Sequence, residues 1–164
     1  MTTAKAGYKR DLLLRHTVAT LAYRAAKVLR DAPPEFSSFR AVEGSRSAGE
    51  ILSHMGDLFD WALSQAQGKQ RWHSSKVRPW SKDVTRFFSA LKAFDKYLAS
   101  SAKVHAAPEK IFQGAVADAL THTGQIAMLR RLAGARVRGE NYYVAKIEAG
   151  RVGPDQNAAV MEFD

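Results

Sequence analysis

Asp118 and His122 stand four residues apart in Asp118-Ala-Leu-Thr-His122-Thr-Gly-Gln125-Ile, a stretch whose spacing predicts the second half of a long helix. Four residues are just over one turn, so the two side chains share a face, and Gln125 follows one turn later on nearly the same face. A carboxylate and an imidazole so placed can grip one divalent metal ion, because both donors reach a common point. The plain alternative is a partly solvated polar stripe. Far upstream, His54, Asp57 and Trp61 fall at i, i+3 and i+7 and share a second helical face. His54 is flanked by apolar residues. A buried histidine needs only a hydrogen-bond partner, so its own context favours a satisfied core group over a ligand.

Composition limits the chemistry available. The chain has 164 residues, 46% of them hydrophobic, which suits one globular domain over residues 1–164. It has no cysteine, so disulfides and thiolate sites are excluded and His, Asp and Glu are the metal ligands at hand. No apolar run is long enough for a membrane span, and the short polar start, Met1-Thr-Thr-Ala-Lys-Ala-Gly7, lacks a signal-peptide core. The expectation is a soluble cytoplasmic protein. The net charge of +9 raises nucleic acid as a partner. The charge is dispersed, however, and its densest group (Arg130, Arg131, Arg136, Arg138) suits the negative end of a helix, so nucleic-acid recognition is not expected.

Four helices must position these residues. The first is predicted over about 8–30 from the apolar stripe Leu12, Leu13, Ala19, Ala22, Tyr23, Ala26 and Leu29, and ends before Pro33-Pro34. His16 lies on or beside that stripe and reads as a packed core histidine. The second, about 47–67, opens on Ser47-Ala-Gly-Glu50, a capping box that explains Glu50 without catalytic duty. A polar, tryptophan-bearing stretch follows, long for a connection between packed helices. It allows the next helix to run parallel to the last, and its Trp72, His73 and Trp80 read as cover for an edge. The third helix is predicted over about 81–103 with Ser81 as N-cap. The fourth, about 108–134, has Pro108 in its first turn and Gly134 as its stop. Gly56, Gly114 and Gly124 lie inside helices, where glycine is tolerable if backbone approaches a neighbour or ligand closely. The tail, 135–164, is predicted to lie extended over the helices with a mobile acidic end. Together these elements predict an all-α, up-down-down-up four-helix bundle with a long crossover between its second and third helices. At 1.5 Å per residue, His54 and His122 then sit at depths of roughly 10 and 18 Å from one end, close enough to share it if the helices are staggered.

Two segments carry a resemblance. Ile51-Leu-Ser-His54-Met-Gly-Asp-Leu and Asp118-Ala-Leu-Thr-His122-Thr-Gly-Gln125-Ile resemble the second-helix and fourth-helix metal motifs of the DinB/YfiT-like superfamily of bacterial four-helix-bundle proteins. Asp118 stands where that pattern has a histidine, and Thr123 where it has arginine. The resemblance implies a divalent metal (zinc, nickel or iron) held by His54, Asp118 and His122, with Asp57 as a candidate partner orienting one of the imidazoles. It further implies a small-molecule substrate, with a low-molecular-weight thiol among the candidates, and metal-dependent thiol transfer or else hydrolysis; a homodimer is expected as well. The rival expectations are a non-catalytic dimeric assembly module that has lost the metal, and a basic nucleic-acid-binding protein.

Overall fold

A computed structural model describes residues 2–164, with side chains from residue 12 onward; Met1 and the side chains of the polar N-terminal stretch lie outside the described residues. The chain is mostly helical. α1 spans Thr2–Leu29, α2 Ala48–Ala66, α3 Trp80–Ala99, α4 Pro108–Ile111 and α5 Ala117–Leu132, with a five-residue π-helical segment, Phe112–Val116, joining α4 to α5. The expected fourth helix is therefore one rod, underwound near its start by the wider π turn. A 3-10 turn, Pro34–Ser38, follows α1, and two short strands, β1 (Gly139–Glu140) and β2 (Glu162–Phe163), pair antiparallel in the tail.

One apolar cluster joins the helices. α2 packs on α3 and α5, and α1 packs on α3 and α5. Phe59 of α2 and Phe87 and Phe94 of α3 are fully buried; Phe59 meets Phe87 edge to face, with ring centroids 6.2 Å apart. Each such ring contributes about 1.5–3 kcal/mol through burial. The capping box forms as the sequence predicts: the Glu50 amide donates to Ser47 Oγ (3.2 Å) and the Ser47 amide to Glu50 Oε2 (2.6 Å).

Several expectations need correction. α1 begins at Thr2 rather than Tyr8, and its Leu12, Leu13 and His16 are exposed instead of joining the core. α3 begins at Trp80, so Ser81 is not its N-cap; Asp83 steadies the helix start by accepting from the Arg78 amide (2.9 Å). α3 also stops at Ala99, well short of residue 103, and Ser100 turns to extended backbone. The acidic tail is held, not loose: buried Glu140 accepts from Tyr23 Oη (2.6 Å) and Lys27 Nζ (2.8 Å), and Lys27 also donates to Glu162 (2.5 Å). No described helix is long and apolar enough to cross a membrane.

Candidate metal centre

The pairing of α2 with α5 brings His54 to the Asp118–His122 face. His54 Nε2 lies 3.5 Å from Asp118 Oδ2, and His122 Nε2 lies 3.5 Å from Asp118 Oδ1. The imidazoles meet edge to face with centroids 5.0 Å apart. One donor atom from each residue lies within 4.8 Å of the others, so the three could hold a metal ion. Bonds of about 2.0–2.2 Å in a tetrahedral shell separate neighbouring ligand atoms by about 3.3–3.5 Å, which both observed spacings approach. His122 is buried, whereas the Asp118 side chain keeps 44% of its exposure, leaving one side of the group open.

The protonation pattern follows from neighbours. His122 Nδ1 lies 2.7 Å from Gln125 Oε1; the amide oxygen accepts, so Nδ1 carries the hydrogen. Nε2 is then the ring nitrogen turned to Asp118 Oδ1, the direction in which a cation shared by the two would lie. His54 is held toward its neutral form. Burial lowers its pKa below the ordinary value, and the His122 and Arg46 charges add to this against the opposing pull of Asp118.

Asp57 does not orient either imidazole. Its carboxylate accepts from the amide (2.9 Å) and hydroxyl (2.8 Å) of Ser75 and from Arg86. Burial raises its pKa, but the bonds from Ser75 and Arg86 outweigh that and leave it below the usual carboxylate range. The orienting role falls to Gln125, whose position on the Asp118 face was visible in the spacing although its partner was not. Asp57, Asp60 and His73 form a second group with metal-like proximity. There Arg86 Nη2 already lies 2.8 Å from Asp60 and against Asp57, so a guanidinium supplies the cation. Gly56 makes this possible, since a Cβ there would collide with the Arg86 head.

That second group fixes the crossover. The Arg71 amide donates to Ser64 Oγ (2.9 Å) and Ser75 is tied to Asp57, which clamps the loop on both sides of Trp72. Trp72 thereby stands edge-on to His54 (5.7 Å) and to Trp61 (6.3 Å). Two clefts open beside the His54–Asp118–His122 group. One, about 550 Å3, is lined by Trp61, Trp72, Gly114, Ala117, Asp118 and neighbours. The other, about 490 Å3, runs past His122 and Gln125 to Arg46, Ile51 and Leu129. Sequence reasoning missed Trp72 and Arg46 as neighbours of this group, because loop positions carry no periodicity that would place them.

Comparison of the chain with protein-family models, with curated proteins and with solved structures found no match.

Proposed function

We propose that the chain is a cytoplasmic metal-binding enzyme of DinB/YfiT-like type, an up-down-down-up four-helix bundle holding one divalent ion on His54, Asp118 and His122. The observation that carries this reading is the convergence of the three side chains, one donor atom of each lying within 4.8 Å of the others, with His122 Nε2 3.5 Å from Asp118 Oδ1. Two imidazoles and one carboxylate suit zinc, nickel or ferrous iron and leave coordination positions open. A bound ion would supply Lewis acidity and would acidify a water or thiol group. Gln125 holds the His122 ring in its ligating tautomer. Trp72 shields the His54 side from water, and Arg46 places positive charge at the opposite cleft. By the resemblance, the reaction would be transfer to or from a small-molecule thiol, or else hydrolysis.

Elemental analysis of protein purified under metal-replete conditions tests the proposal. One ion per chain, lost in His122→Ala at unchanged helical content, is the expected result. Wild-type protein without stoichiometric metal would overturn it.

A further inference from the structure

The cleft on the Asp118 side has a chemistry of its own. Two of the chain's three tryptophans line it, with Leu58, Ala117 and the bare backbone of Gly114; its polar atoms come from Gln113, Thr121 and Asp118. Among the described residues, no lysine or arginine lines it. Away from the metal group itself, a phosphate or carboxylate therefore finds no counter-charge there, while an uncharged planar group finds the indole surface of Trp61 and Trp72.

The walls are built to keep that shape. The π segment Phe112–Val116 lies opposite Trp61, and π turns recur where helices line functional sites. Within it Gly114 lets the indole in: a Cβ there would lie 3.2–3.3 Å from the Trp61 ring carbons, and the ring would have to move. Trp72 stands 49% exposed although its chain neighbours are pinned to Ser64 and Asp57. A large apolar ring held half in solvent, edge-on to a metal-ligating imidazole, is surface kept available for contact.

We infer that this cleft takes the aromatic or heteroaromatic portion of the substrate, an uncharged planar ring laid against Trp72 and Trp61 while the reacting group reaches Asp118 and the imidazoles. The inference rests on the metal reading for where the reacting group sits, but the ring site itself stands on the tryptophans and Gly114. About 550 Å3 accommodates a bicyclic ring with its substituent.

Hydroxamates, which anchor on divalent metals, separate the two ideas. Calorimetric titration of zinc-loaded protein with benzohydroxamate and acetohydroxamate gives an affinity ratio in favour of the ring. That ratio is expected to fall at least about fivefold in Trp72→Leu and to survive in Trp72→Phe, since one aromatic contact is worth that much. A ratio unchanged in Trp72→Leu would overturn the ring site. Zinc content measured on the same samples judges the metal reading separately. If no zinc is retained, the ring site is read from the three indole N–H resonances instead. Benzyl alcohol should shift those of Trp61 and Trp72 but not that of buried Trp80, and cyclohexylmethanol should shift none; equal effects of the two alcohols would overturn the inference.

Discussion

Gln125 sets the face that His122 presents to Asp118. By accepting from Nδ1 at 2.7 Å it leaves Nε2 as the nitrogen that points at the carboxylate. Partners of this kind, one bond removed from a ligand, commonly govern metal affinity about 10–100-fold. Gln125→Ala is therefore expected to weaken metal binding by about that factor in competition with a chromophoric chelator. Gln125 is exposed, so the melting temperature of the metal-free protein should barely change.

His54 makes loading pH-dependent. Its folded pKa lies below the ordinary 6.5, foremost because of burial, so protonation favours the unfolded chain. The metal-free protein is expected to keep full stability from this group above about pH 6.5 and to lose it as the pH falls toward the depressed value. A metal competes with the same proton, so equilibrium dialysis should find loading flat from pH 7 to 8 and declining as the pH falls toward the lowered His54 pKa. Loading that never declines as acid is added, with the fold intact, would contradict a histidine ligand.

Asp57 holds the crossover through Ser75 and Arg86. Asp57→Ala leaves the guanidinium with Asp60 alone and Ser75 without its acceptor, and is expected to cost about 1–3 kcal/mol in urea unfolding. The loop should loosen with it, so the tryptophan emission of the folded variant should shift to the red as Trp72 gains solvent. In the wild type the carboxylate's contribution is present above about pH 4 and lost as the pH falls through its lowered pKa.

Gly124 was expected to permit a close approach, yet a Cβ built there meets nothing. Gly124→Ala should stabilise α5 by about 0.5–1 kcal/mol and raise the melting temperature by about 2–4 °C. A lower melting temperature would mean that another surface covers this position.

The parts of the molecule legible in the sequence are those with local causes. Ser47 and Glu50 announce the start of α2, and periodic apolar residues announce the helices that bury Phe59, Phe87 and Ile126. The convergence of His54 with Asp118 and His122 was legible through two spacings and a resemblance. Contacts between distant residues were not. Nothing local says that Asp57 turns to Ser75 and Arg86, or that Trp72 lands on His54. Nor does composition foretell the π segment, or that Glu140 reaches back to Tyr23 and Lys27 and draws the tail onto α1. The exposure of His16 shows how an apolar stripe overstates burial toward the end of a long helix.

The central claim is that one cation belongs between three named side chains. An anomalous difference map from crystals grown with zinc tests it most directly. The account predicts one strong peak about 2.0–2.2 Å from His54 Nε2, His122 Nε2 and an Asp118 oxygen. No peak there, or a peak instead beside Asp60 and His73, would contradict it.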